Sequence, residues 1–322
     1  MRMRPRARLA AAEGKWSPMR ALVYEPGTPH GLRLGEAPEP RPGPSQALVR
    51  VAATSLNFAD VAYLRDRQVP GAVPGFDAAG VIVSPAEDGS GPPAGTRVVT
   101  FGFSGGWAEL RAADTAEIAE VPDAVDLGLA AAVPAAGVTA LRAVRRLGSL
   151  ANRRVLITGA SGGVGRFAVQ LAARVGAHVI ASVGSPERGD GLIELGAAEV
   201  VTGLTGIRPP VHGALDHVGG RTLADVYALL EPGGRVLSIG MASLEPTSIN
   251  FEEARLRGGA SIEAFVVGAG FGPDLSLLAR LVAAGELDPQ VGWRGPWEKA
   301  AEAAAALLGR QVPGKAVMEV SP

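Results

Sequence analysis

Cysteine is absent from this chain of 322 residues. That rules out disulfides and thiolate zinc sites, and it fits a cytoplasmic protein. Histidine is scarce: His30, His178, His212 and His217 stand at no metal-ligand spacing, so no metal site is expected. Charge of one sign is missing too, with 31 Lys and Arg against 32 Asp and Glu and a net charge of −1. Nothing in that balance calls for nucleic acid as a partner. No apolar run approaches the ~20 residues that span a bilayer, so no membrane partner is expected either. Glycine and proline are plentiful (44 and 25) but scattered, with no low-complexity tract.

What is present suits two domains with separate cores: 47% apolar and 20% charged residues in a chain of this length. Residues 1–18 are basic and lack the apolar stretch of a secretory signal, so they are expected to form a disordered leader. A first strand begins at Met19. Short β segments follow at Ala47–Ala53, Ala78–Val83, Arg97–Phe101 and Trp107–Arg111, separated by Gly, Pro and Asp clusters. Helical spacing takes over at Leu127–Ala131 and Val138–Leu147.

From Arg154 strands and helices alternate. Strands are predicted near Val155–Thr158, Val179–Val183, Val200–Val201, Ala214–His217, Arg235–Ile239 and Ser261–Val267. Helices are predicted near Val164–Val175, Pro186–Leu195, Arg221–Leu230 and Asp274–Ala284. This alternation implies a parallel doubly wound α/β sheet. Around Pro209-Pro210 the connection is too short for a helical crossover, and a compact loop is expected. The tail reads as a helix, Trp297–Leu308, and a strand, Lys315–Val320, that rejoins the β-rich part.

The most informative stretch is the turn after Thr158, with Gly159, Gly162, Gly163 and Gly165 between a β-branched run and a helix. Such glycines let the backbone approach a pyrophosphate, which the first helical turn holds with unpaired N–H groups. Three patterns fit the string. Gly159-Ala160-Ser161-Gly162-Gly163 matches the nucleophile elbow of α/β hydrolases. The last histidine, His217, directly follows Asp216, so the required acid-then-histidine order cannot be built. The string also matches the opening turn of short-chain dehydrogenases. Here about 150 residues precede it, and Tyr227 has Glu231, not Lys, four residues on. The third pattern, a nucleotide fold placed after a separate N-terminal domain, agrees with the position in the chain.

Several motifs, in order and spacing, make the chain resemble the zinc-independent medium-chain dehydrogenase/reductases, in particular the zeta-crystallin-like quinone oxidoreductases. They are Ser55-Leu56-Asn57-Phe58-Ala59-Asp60 with Tyr63, Pro74–Val81, Gly137-Val138-Thr139-Ala140, the glycine turn, Leu195-Gly196-Ala197, Asp216–Gly220 and Gly314-Lys315. The resemblance implies a Rossmann domain, 135–269, inserted in a GroES-like β-rich catalytic domain, 19–134 plus 270–322, and a homodimer. It implies pyrophosphate contacts from the backbones of Gly162, Gly163 and Val164. It places Thr139 near the nicotinamide amide, Gly240, Phe265 and Val267 around its ring, and His217 against its ribose. Lys315 would reach the cofactor from the last strand. Asn57 and Tyr63 would stand where nicotinamide meets substrate, Tyr63 polarising a carbonyl as hydride arrives. Asp60 is expected to fix local structure. The chain departs from the family at Gly159, often Ala, at His217, often Ser, at Thr96, usually Asp, and at Gly203, near a slot for an aromatic.

The residues themselves speak to cofactor choice. NAD sites carry an acid ~20 residues past the glycine turn for the ribose 2′-hydroxyl. None occurs in Val179–Pro186; Ser185 and Arg188 follow instead, a hydroxyl and a guanidinium suited to a 2′-phosphate. NADPH is therefore the expected cofactor. The expected reaction is metal-free reduction of quinones or enones by direct hydride transfer. The alternatives are an enoyl-thioester reductase of polyketide type acting in trans, which the SLNFADV segment also resembles, and a non-catalytic NADPH-binding protein.

Overall fold

The structure is a computed structural model that describes residues 17–250, 252, 255 and 258–321. Residues 1–16 of the expected leader lie outside the described residues. The chain opens with an antiparallel pair, β1 (Pro18–Tyr24) and β2 (Leu32–Pro38). Next come β3 (Gln46–Leu56), α1 (Phe58–Ala62), α2 (Leu64–Arg67), β4 (Asp77–Ser84), β5 (Arg97–Phe101), β6 (Leu110–Asp114) and β7 (Ile118–Glu120). Helices α3 (Leu127–Ala131) and α4 (Pro134–Arg146) lead out of this part.

The second part holds β8 (Arg154–Thr158), α5 (Gly163–Arg174), β9 (His178–Val183), β10 (Glu199–Thr202) and β11 (Val211–Asp216). It continues with α6 (Gly220–Tyr227), β12 (Leu230–Ser238) and β13 (Ser261–Ala264). These strands pair in the order β10-β9-β8-β11-β12-β13, and every pairing is parallel. Counted from β8 the order is 3-2-1-4-5-6, so the direction of winding reverses between β8 and β11. Ligands of open α/β sheets lie outside the carboxyl ends of the strands at such a reversal. The strands are apolar because both faces are covered: Val155, Leu156, Ile157, Ile180, Ala214 and Leu237 are fully buried.

After the helix Gly272–Ala283, β14 (Val291–Pro296) runs parallel to β15 (Lys315–Glu319). Strand β15 pairs antiparallel with β3, so the C-terminus is sewn into the first sheet as its sequence suggested. One apolar cluster runs from Ala53, Val99 and Phe101 through α4 to Phe167 and Leu215, joining the two sheets. That shared core fixes the edge of one sheet against the glycine turn of the other.

Some expected elements differ. Pro186–Leu195 forms only a short 3-10 turn, Pro186–Gly189, because Gly189 and Gly191 (φ +76°) interrupt it. The strand expected at Trp107–Arg111 lies at Leu110–Asp114, and the last parallel strand stops at Ala264. Strands β2, β7 and β14 were not expected. The segments of β2 and β14 carry Gly and Pro that read as turn signals, and β7 is only three residues long; pairing partners decide all three.

Candidate active site

The glycine turn is built for close approach. Gly159 adopts φ +59°, and the Gly162 N–H donates to Gly159 O at 3.0 Å, closing a tight turn before α5. A Cβ on Gly165 would sit 2.4 Å from Gly159 O and 2.7 Å from Ala160 Cα, so this glycine lets helix and strand touch. Gly162, Gly163 and Val164 stay half-exposed at the start of α5, where the N–H groups of a first turn have no intrahelical acceptor. The turn thus fits a diphosphate.

The predicted nucleotide-side residues converge on this edge. Gly159, Ser185, His217, Gly240 and Phe265 each directly or closely follow the carboxyl end of β8, β9, β11, β12 or β13. Gly240 lies against the His217 backbone, where a Cβ would come within 2.7 Å of His217 O. Val267 is half-buried, its carbonyl held at 2.5 Å by the Arg142 guanidinium, which also grips Ala269 O and Gly270 O. Thr139 is half-exposed within Ala130–Leu141, a stretch otherwise wholly buried, so it alone there faces open space.

His217 directly follows β11, at the winding reversal. Its Nδ1 lies 2.7 Å from Thr158 O, which as an acceptor requires the Nδ1–H tautomer and leaves Nε2 as a lone-pair acceptor. Nε2 is buried without a partner among the described residues. Burial lowers the imidazole's pKa, against the raising effects of Thr158 O and Asp216. Asp216 is held by Thr158 Oγ1 at 2.6 Å and by the Gly219 N–H at 2.7 Å. An orphaned acceptor here suits a ribose hydroxyl.

Arg188 lines a cavity of about 630 Å³ with Ser161, Arg166, Gln290 and Arg310. Burial, then the nearby Arg310, lowers its pKa. Arg188 and Arg310 form no ion pair among the described residues, although the exposed acids Glu187, Asp190 and Asp288 also line the cavity. Arg310 was missed in the sequence, since nothing local marks it and only the return of the C-terminal segment brings it near. Two like charges on one wall suit an anion.

Asn57 and Lys315 are placed differently from the expectation. The Lys315 ammonium, 2% exposed, donates to Asn57 Oδ1 at 2.5 Å, Asp77 Oδ2 at 3.2 Å and Leu56 O at 3.4 Å, so its three protons point inward. Asn57 Nδ2 donates to Asp60 Oδ2 at 3.0 Å and Asp77 Oδ2 at 2.9 Å. Both of its protons are therefore engaged within the protein, and it holds the turn together. Lys315 touches the phosphate turn only with its aliphatic stem, since a Cβ on Gly163 would lie 2.9 Å from Lys315 Cδ.

Tyr63 breaks the helix between α1 and α2 at φ −106°, ψ 13°. It is half-exposed, with the Arg67 guanidinium 4.7 Å from its ring centre. Its hydroxyl makes no hydrogen bond among the described residues. No group of three metal-ligating side chains gathers among those residues, and no helix among them is long and apolar enough to cross a membrane.

A 3-2-1-4-5-6 parallel sheet with this turn at its winding reversal defines a dinucleotide-binding protein. Residues 163–283 match the zinc-binding dehydrogenase family model, and residues 43–123 match the alcohol dehydrogenase GroES-like domain. The quinone oxidoreductase of Sus scrofa is 30% identical over 319 residues, covering 92% of this chain and 96% of that protein. The human synaptic vesicle membrane protein VAT-1 homolog is 34% identical over 227 residues, 66% of this chain and 58% of its own, so the match spans little more than half of that relative. A mycobacterial protein solved in complex with NADPH superimposes with a TM-score of 0.83 at 25% identity, covering 94% of this chain and 99% of that one. The chain belongs to the medium-chain dehydrogenase/reductase family, in its quinone-oxidoreductase-like branch.

Proposed function

We propose that the protein reduces quinones or electron-poor C=C bonds with NADPH, by direct hydride transfer and without a metal. The observation that carries this reading is Arg188 with Arg310, two guanidiniums in no ion pair among the described residues, on the cavity beside the glycine turn. NADH lacks the 2′-phosphate, which in NADPH would offer that wall charge-assisted hydrogen bonds. The NADPH in the similar mycobacterial structure supports the same choice.

When bound, the cofactor supplies the hydride. The backbone of Gly162, Gly163 and Val164 would hold the diphosphate, His217 Nε2 would accept from a ribose hydroxyl, and Gly240, Phe265 and Val267 would frame the ring near Thr139. Ser185 and Arg188, joined by Arg310, would hold the 2′-phosphate. The free Tyr63 hydroxyl would donate to the substrate oxygen on which negative charge grows. Asn57 and Lys315 serve by fixing the turn that carries Tyr63. The division into 19–134 plus 270–322 and 135–269 belongs to the same reading, with the substrate between the two parts.

NADPH consumption across a panel of quinones, enones and enoyl thioesters tests the reaction. Turnover of enoyl thioesters alone would identify a thioester reductase, and tight NADPH binding without turnover would make the protein a binding module. Arg188→Ala tests the cofactor assignment. Loss of a charge-assisted contact of about 1.5–3 kcal/mol should raise the KM for NADPH roughly 10- to 100-fold and leave that for NADH in place.

A further inference from the structure

Beside the Tyr63 turn lies a buried cluster whose carboxyls no step above uses. It contains two carboxyls, Asp60 and Asp77, and one ammonium, Lys315, bridged by the Asn57 amide. Asp77 is fully satisfied: Ser55 Oγ donates to it at 2.5 Å, the Ala135 N–H at 2.8 Å, and Lys315 and Asn57 complete the set. Asp60 is not. Its Oδ2 accepts from the Asn57 N–H and Nδ2, each at 3.0 Å, while Oδ1 is buried with no partner among the described residues.

The charges settle which form fits. Lys315 neutralises one carboxylate, and the one it touches is Asp77. A second carboxylate with a bare, desolvated oxygen would be costly. Placing a proton on Oδ1 removes the uncompensated charge, the larger part of that cost, and leaves Oδ2 free to accept both Asn57 donors. Burial first, then the Asp77 charge, push the Asp60 carboxyl up to about 7, with Asn57 and Lys315 acting the other way. Arg111 on β6 is the other buried charge nearby, itself lowered to about 10 by burial. The charged groups of α2, Arg65, Asp66 and Arg67, are exposed, as is Glu302 on the helix Ala300–Leu308 packed against α1.

We propose that Asp60 is a positioning residue that works as the neutral acid, pinning Asn57 at the start of α1 so that Tyr63, at its end, faces the substrate. Asp60 touches no reacting atom. Losing its proton puts two carboxylates on the same Asn57 Nδ2, and their repulsion drives the five-residue helix away from β4. The inference rests on the reductase reading, because Tyr63 is how the turn reaches the substrate.

The test is the pH profile of kcat and KM for the wild type and Asp60→Asn with the best substrate of the panel. Asparagine keeps an acceptor for both Asn57 donors and cannot ionise. Wild-type kcat should fall roughly tenfold per pH unit above neutrality, with an unmoved KM for NADPH, and the variant should lack this limb. Superimposable profiles would overturn the proposal.

A substrate-free readout separates this failure from failure of the reductase reading. The folded pKa lies above the unfolded value, so stability present at low pH is lost as pH rises from near 4 toward 7. The Tm of Asp60→Asn relative to wild type should therefore climb from pH 4.5 to about 7 and level off above it. A constant gap sinks the proposal even if no substrate is found, whereas a widening gap with no turnover counts against the reductase reading alone. Should Asp60→Asn not fold, Asp77→Asn removes the second carboxylate and with it the repulsion, so the alkaline limb should flatten or disappear. An unmoved limb would overturn the proposal.

Discussion

The Lys315 ammonium lies 3.2 Å from the Asp77 carboxylate, and neither side chain is more than 2% exposed. The pair joins the last strand to β4 and carries the Asn57 bridge between them. Removing one partner of a buried pair strands the other charge, at a cost of about 3–5 kcal/mol. Lys315→Met should lose stability on that scale in urea unfolding, and Asp77→Asn added to it should recover part of the loss. Full stability of the single variant would mean that the pair contributes nothing net.

The glycines of the phosphate turn differ in what a methyl would meet. Gly165→Ala drives Cβ into the backbone of Gly159 and Ala160, so it should lower stability by about 1–3 kcal/mol or more. Gly162→Ala meets only Gly159 O, at 3.4 Å, and should keep a near-wild-type Tm while weakening NADPH binding by calorimetry. Equal thermal penalties would remove the distinction between a packing glycine and a ligand-approach glycine.

Arg310 should behave as Arg188 does, although it stands at the far end of the chain. Arg310→Ala should weaken binding of 2′,5′-ADP roughly 10-fold or more and leave 5′-AMP binding unaltered. Its Ala242 carbonyl contact at 3.0 Å is exposed, so little stability should follow. Equal weakening of both nucleotides would place the arginine elsewhere on the ligand.

For His217 the sign is opposite to that for Asp60. Burial depresses the folded pKa below the unfolded value near 6.5, so stability is intact above that pH and falls below it as the unfolded state gains a proton. The acid-side loss reaches at most about 1.4 kcal/mol per pH unit. His217→Gln should be spared it, so the wild type's advantage should shrink between pH 7.5 and 5. A gap that stays fixed would mean the imidazole is not held neutral.

Some of this protein was written locally in the chain. The glycine turn, the alternation after Arg154 and the absence of an acid between Val179 and Pro186 depend on neighbours within one βαβ unit. Backbone sterics and apolar period act over that distance, so the parallel sheet and the glycine turn at its edge could be read directly. The helix expected at Pro186–Leu195 failed where glycine outweighed periodicity.

The tertiary structure decided the charges. Lys315 and Asn57 each look free in the sequence; Lys315 meets Asp77 only because β15 returns beside β3, and Asn57 meets it because β3 pairs with β4. Arg310 reaches Arg188 by the same return of the chain. Whether a carboxyl such as Asp60 keeps its proton depends on desolvation and on which charges surround it. Folding sets both by joining segments that are remote in sequence, and no local pattern encodes either.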